Sequence, residues 1–208
     1  MAERPEPKAA SKSKSKKIEQ GERTRAHLVG VARALFAEHG FAATSTEDVV
    51  HTAAVTRGAL YHHFRDKADL FEAVFEQLES ELVADVIREA ARGRTPIDEL
   101  RRGVSGFLRR CLDPAVQRVI LRDGLAILGW ERWYEIDVRY ALGILVAGID
   151  AAMDAGEIAR QPAEPLAHLI LGAMNHAGMY IAGAADPERA RKEMDRTLGK
   201  MIDGLRVN

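Results

Sequence analysis

The chain has 208 residues, a formal net charge of −1 from 30 basic and 31 acidic side chains, and a single cysteine. That length supplies one domain or two small ones with a sizeable core, and the near-zero charge confines any nucleic-acid role to local clusters of basic residues. One cysteine excludes an intramolecular disulfide and fits a reducing cytoplasm, and the charged N-terminus is unlike a signal peptide.

Ala, Leu, Arg and Glu dominate and no alternating strand-like run stands out, so the expected fold class is all-α. Residues 1–17, MAERPEPKAASKSKSKK, have almost nothing to bury and are expected to form a disordered basic tail. The tail reads as solvated, with an arm reaching DNA phosphates as the alternative. From about Ile18 to His39, Leu28, Val29, Ala32, Leu35 and Phe36 recur at spacings of three and four, one apolar helical face. Gly40 should end that helix as a left-handed cap, with Phe41 packing back on Phe36.

The stretch from Thr44 to Asp69, TSTEDVVHTAAVTRGALYHHFRDKAD, reads as two short helices and the start of a third. Ser45 with Asp48 three residues on is the pattern of an N-cap closed by a carboxylate, and that helix extends to about Ala53. Thr56 offers a second cap before the stripe Ala59, Leu60, His63 and Phe64, and Asp66 a third before Lys67. Helices this short are unstable alone because nucleation is costly. They need a scaffold on one side, which leaves a polar face free for a partner. This is the logic of a helix-turn-helix, whose second helix lies in the DNA major groove.

The run RAHLVGVARALFAEHGFAATSTEDVVHTAAVTRGALYHHFRDKADLFEAVFE resembles the N-terminal DNA-binding domain of the TetR family, the tetracycline-repressor-like regulators, over about residues 20–80. The motifs LFAEHGF, AAVT, RGALYHHF and KADLF arrive in register. Two positions depart from the family pattern: Ala54 stands where Gly is usual in the turn, and Val50 where Ala is usual. The resemblance implies that Thr56, Arg57, Gly58, Ala59, Tyr61 and His62 lie on the recognition helix near bases or phosphates. It implies that Tyr61 and Lys67 hold backbone phosphates and that Gly58 lets the helix approach the groove closely. Ser45 and Thr46 would contribute at the N-terminus of the preceding helix. Leu60 and Phe64 read as core, and His63 as packing.

The helix from Lys67 carries Leu70, Phe71, Val74, Phe75, Leu78 and Leu82 and should reach about Ala91. Pro at the first helical position after a capping residue marks further starts, so helices are expected near 96–112, 114–123, 130–155, 165–184 and 187–205. Leu166–Ala184 is apolar nearly all round and must be covered on two sides; with His168, Asn175, His176 and three glycines it suits burial in protein, not a membrane. Gly172, Ala173, Ala177, Gly178 and Ala182 would let another helix come close. The last helix aligns Ala190, Met194, Leu198, Met201, Ile202 and Leu205, and these two helices are expected to pair with their copies about a two-fold axis. Ala177 and Leu198 fall in that expected seam.

The domain organisation expected is therefore a tail over 1–17, a helix-turn-helix head over 18–66, and a helical ligand-binding and dimerisation domain over 67–208. In that second domain Trp130, Trp133 and Tyr134 form an aromatic cluster, and Asn175, His176 and Tyr180 supply polar atoms to an apolar helix; ordinary core packing is the alternative for each. No carboxylate or Arg pair is aimed inward in this pattern, which points to an apolar or aromatic effector. No catalytic constellation, metal spacing or cofactor motif emerges: Ser105 lacks a nucleophile-elbow setting, and His168 and His176 lie about 12 Å apart along a helix. The reading is a cytoplasmic, homodimeric regulator of a palindromic operator in double-stranded DNA, with an unknown small-molecule effector and no membrane partner. A DNA-binding protein without effector, or controlled by a protein partner, is the alternative; an enzyme with a helix-turn-helix would need a site that the residues do not offer.

Overall fold

Where a capping side chain precedes an apolar run, a helix begins. In the computed structural model, which describes residues 7–207, Ser45, Thr56 and Asp66 cap α2 (Thr46–Thr52), α3 (Arg57–His63) and α4 (Lys67–Ala90). Thr95 and Asp186 do the same for α5 (Pro96–Arg110) and α9 (Pro187–Asp203), each with Pro in the first turn. At Ser45 the capping box is complete: its hydroxyl accepts from the Asp48 amide at 3.1 Å, and its own amide donates to the Asp48 carboxylate at 2.8 Å.

The first helix, α1 (Pro7–His39), starts earlier than expected. Residues 7–17 continue its backbone instead of forming a separate tail, whereas 1–6 lie outside the described residues. Ala and Lys are good helix formers and no Gly or Pro falls between 8 and 20, so local propensity favours continuation. Gly40 ends α1 at φ +81° with its amide on the Phe36 carbonyl at 2.9 Å, and Phe41 packs on Phe36 with ring centroids 5.8 Å apart, as expected.

Between α2 and α3, Ala54 takes φ +52°. An L side chain there costs about 1–2 kcal/mol against glycine. Ala54→Gly is therefore expected to stabilise the chain by about 1 kcal/mol, raising Tm by about 2–4 °C; a melt that moved down would show that the turn tolerates Ala without strain.

The second half is a bundle around α5, which packs on α4, α7 (Gly143–Asp154) and α9. A π-helical stretch, Val116–Asp123, runs into α6 (Gly124–Asp137), which is broken at Gly129 by φ +75°. A second π-helical stretch, Val138–Leu142, joins α6 to α7. The helix expected near 114–123 thus continues to the Gly129 break, and the one expected over 130–155 runs from Trp130 to Asp154 with a π turn inside it. Only glycine takes that φ without strain, so Gly129 sets the division. The long apolar helix α8 (Ala163–Gly183) then packs on α7 and α9. Among the described residues no helix is long and apolar enough to cross a membrane.

One hydrophobic core runs from Leu28 in α1 to Ile202 in α9, so the boundary expected at residue 66 is a change of topology and not a gap in packing. Two polar links reinforce the joint. The Phe41 amide donates to the Asp123 carboxylate at 3.0 Å, and the Arg118 guanidinium donates to the His39 carbonyl at 3.2 Å. A Cβ on Gly40 would sit 2.1 Å from that guanidinium, so a side chain there would displace Arg118 as well as strain the backbone at φ +81°.

Candidate nucleic-acid interface and ligand cavity

Val49 and Ala53 of the α2 segment and Leu60 and Phe64 of the α3 segment are buried against α1, as their apolar spacing requires. Helical geometry then sends Arg57, Gly58, Tyr61 and His62 to the opposite side, where all four are exposed together with Thr56. Ala59 is half-buried beneath them. His63 is half-buried, and burial followed by its neighbours His62 and Arg25 lowers its pKa, so it packs as expected.

The exposed face is held in shape by contacts between the two short helices. The Thr46 and Tyr61 hydroxyls are 3.4 Å apart, the Arg57 guanidinium lies 5.4 Å from the Tyr61 ring centroid, and it approaches Glu47 at 3.6 Å. The Thr46 hydrogen bond, then Arg57, draws the Tyr61 phenol below its ordinary pKa. Gly58 does none of this. A Cβ there would come no nearer than 3.9 Å to the Thr56 hydroxyl and would otherwise face open space. Glycine inside a helix costs about 1 kcal/mol against alanine. No contact within the described residues requires glycine at this position.

Two of the expected phosphate ligands are engaged elsewhere. The Lys67 ammonium donates to the Phe41 carbonyl at 2.8 Å and the Thr44 carbonyl at 2.9 Å, and sits 4.1 Å from the Phe41 ring centroid. An ammonium has three N–H donors, so at most one is left for a phosphate. Its first task is to clasp the loop between α1 and α2, a role set by residues more than twenty positions away. The Ser45 hydroxyl is likewise taken up in the capping box, donating to Asp48 at 2.6 Å. Thr46, half-buried at the edge of the exposed face, donates its hydroxyl to the Glu47 carboxylate at 3.1 Å.

The six residues expected to share a ligand site fall in three places. Trp130 is 62% exposed and stacks on Trp133 and Tyr134 with centroids 5.8 and 5.4 Å away. The Tyr134 hydroxyl shares a hydrogen bond with His168 Nδ1 at 2.9 Å, which docks this surface stack onto α8. His176 and Tyr180 are exposed on the outer side of α8. Only Asn175 reaches a cavity, where its amide donates to Asp137 at 2.7 Å. At spacings of three and four the aromatics share one helix face and stack on one another, with Trp130 at the surface.

The cavities lie elsewhere in the bundle. A chamber of about 340 Å³ between α4, α5 and α7 is lined by apolar side chains including Val86, Leu100, Val104, Ile144 and Leu145. A smaller one of about 50 Å³ adjoins it, sharing Val86, Ile144, Leu145 and Met174, and holds Glu79, Asp137 and Asn175 on its wall. Two carboxyls therefore face the interior, contrary to expectation. Burial, then the Asp137 charge, pushes the Glu79 carboxyl up to about 8, and burial raises Asp137 to about 6 against the Asn175 hydrogen bond. Glu79 was open to detection from its spacing. It lies four residues after Phe75 and three before Leu82, on the buried stripe of α4.

A three-helix head that offers the bare face of its third helix, joined through a long helix to a larger helical bundle, is the architecture of a helix-turn-helix protein with a second helical domain. Residues 28–74 match the family model for bacterial regulatory proteins of the tetR family, and residues 97–205 that of the tetracyclin repressor-like C-terminal domain. The chain belongs to the TetR family of transcriptional regulators, whose members act on DNA and are not enzymes. It is similar to the TetC protein of transposon Tn10 from Escherichia coli, 24% identical over 155 residues that span 74% of this chain and 77% of that protein. The regulator AcrR of Shigella flexneri is 42% identical over 64 residues, 31% of this chain and 30% of that one. A TetR-family regulator from Pectobacterium atrosepticum shares the whole architecture, with a TM-score of 0.84, 33% identity, and coverage of 91% of this chain and 97% of that one.

Proposed function

We propose that this chain is a homodimeric, cytoplasmic repressor that binds a palindromic operator and releases it when a small molecule enters the bundle. The observation that carries the DNA-binding part is the α3 face, where Arg57, Tyr61 and His62 are exposed around Gly58, the one position of that face with no side chain. Arg57 is placed to reach a base edge, Tyr61 and His62 a phosphate or base, and Thr56 and Thr46 the flanking backbone. Ser45 contributes its helix terminus, and Lys67 chiefly positions the loop.

The seam expected for dimerisation needs revision. Ala177, Leu198, Ala190 and Ile202 are buried within their own chain, because α9 lays its apolar stripe on α5 and α8. Among the residues exposed on α8, Leu169, Gly172, His176, Tyr180 and Gly183 form one stripe at spacings of three and four, beside Met179, with Leu169 72% exposed. Small residues between larger ones let a second copy of the same helix approach, and a two-fold pairing of this stripe suits an isologous dimer. Ligand release follows from α4: its N-terminal turn clasps the head through Lys67, and its middle lines both cavities. Arg132 binds Glu72 and Arg139 binds Glu76 at 2.6 Å, so α6 and the turn after it move with α4. A ligand that favours one placement of α4 shifts the spacing of the two heads. The volume of the larger chamber is why an effector-free regulator is the weaker reading.

Selection of bound duplexes from random DNA with purified protein is expected to enrich two inverted half-sites. Leu169→Glu should give monomers of unchanged helix content that select no paired sites. An enriched site without dyad symmetry, or a Leu169→Glu dimer of normal stability, would overturn the proposed assembly.

A further inference from the structure

Glu79 is 4% exposed and has no hydrogen-bond or ion-pair partner among the described residues, yet its carboxyl lines a cavity. Buried polar groups are nearly always paired, and one left open in a roomy site calls for an explanation. Asp137 stands on the same wall, 5% exposed, with Asn175 as its partner. The thiol of Cys111, also near Glu79, is pushed up to about 12 by burial and stays neutral. Glu79 and Asp137 make one end of this space acidic, and the rest of it is lined mainly by apolar side chains, with the exposed Glu99 also on the wall of the larger chamber.

We propose that the two adjoining cavities take one organic cation, its protonated amine seated between Glu79 and Asp137 and its apolar body in the larger chamber. This deepens the ligand-responsive reading given above and rests on it. A buried carboxylate is stabilised by an opposite charge brought close in a region of low dielectric. A protonated amine supplies that charge and also donor hydrogens for oxygens that the protein leaves open. A neutral apolar molecule of the same shape would fill the chamber and leave Glu79 unpaired. The combined space is near the lower end of small-molecule sites, about 300–1,000 Å³, so the cation is a compact monoamine and not a large polycation. Since Glu79 carries a proton before the amine arrives, binding transfers that proton to solvent, while the amine keeps its own.

The test compares 4-phenylbutylamine with its neutral isostere 4-phenylbutanol by calorimetry on the full-length protein, in two buffers of different ionisation enthalpy at pH 7. The expected result is binding of the amine about 100-fold tighter than the alcohol, with release of close to one proton. In Glu79→Gln the preference should fall to within about threefold and proton release should disappear. Asp137→Asn should lower the preference while keeping the shape of the site. Equal binding of the two probes to the native chain, an undiminished preference in Glu79→Gln, or no binding of either probe would each overturn the proposal. Operator selection is run without either probe, so failure of the DNA-binding reading is seen separately. The amine must also lower operator affinity by the factor by which operator lowers amine affinity.

Discussion

Replacing Glu79 by Gln is expected to stabilise the protein at neutral pH and to leave it unchanged in acid. The carboxyl sits at about 8 in the folded chain against an ordinary value of 4.5. Between those two pH values the folded chain holds a proton that the unfolded chain has released. The contribution is fully present below pH 4.5 and is lost as pH rises towards 8. Glutamine keeps the shape and has no proton to lose, so at pH 7 the gain is on the order of 2–3 kcal/mol, a Tm rise of roughly 5–10 °C. At pH 4.5 the two melts should nearly coincide. Asp137 follows the same sign over a lower window, from 3.8 to about 6, and should leave a shallower pH dependence in the variant. Coincident melts at pH 7.5 would mean that the carboxyl is ionised and compensated in the native fold. The same variant removes the proposed amine contact, so a gain in stability with a loss of ligand preference would separate the two roles of this side chain.

Gly58→Leu is expected to weaken operator binding by about 100-fold or more, roughly 3 kcal/mol, without lowering Tm. The added side chain meets open space in the free protein, and leucine is the better helix former, so the fold should be as stable or slightly more stable. On DNA the same atoms would stand between the helix and the groove. Tyr61→Phe is the contrast: loss of a phosphate contact should weaken binding alike on all sequences and leave the selected site unchanged. A Gly58→Leu protein that bound its operator normally would show that α3 does not enter the groove along this face.

The stability gain and the DNA defect arise in different parts of one core, and α4 connects them. Its first turn holds the loop between α1 and α2, and its second and third turns carry Phe71 and Phe75 at the centre of the packing. Glu79 follows one turn later. A ligand that pairs with Glu79 therefore acts on the element that supports the DNA-binding face, with no chain of surface contacts between.

What the sequence alone determined is local. Caps at Ser45, Thr56, Asp66, Thr95 and Asp186 act on amides three residues away, and the break at Gly40 follows from the backbone angles open to glycine. These interactions are complete within one turn of chain, so spacing suffices for the all-α class, the capped helix starts and the helix-turn-helix with its outward α3 face, though not for the start of α1 or the break at Gly129. Only the tertiary structure decided which neighbour each face meets. The apolar stripe of α9 is plain in the sequence, but its burial on α5 and α8, which leaves the outer stripe of α8 exposed, depends on helices distant in sequence. Lys67 turns to carbonyls 23 and 26 residues away, and Asn175 to a carboxylate 38 residues away. Periodicity states that a side chain faces inward. Whether it finds a packed wall, as Trp133 does, or the side of a cavity, as Glu79 does, is set by how several helices close around it.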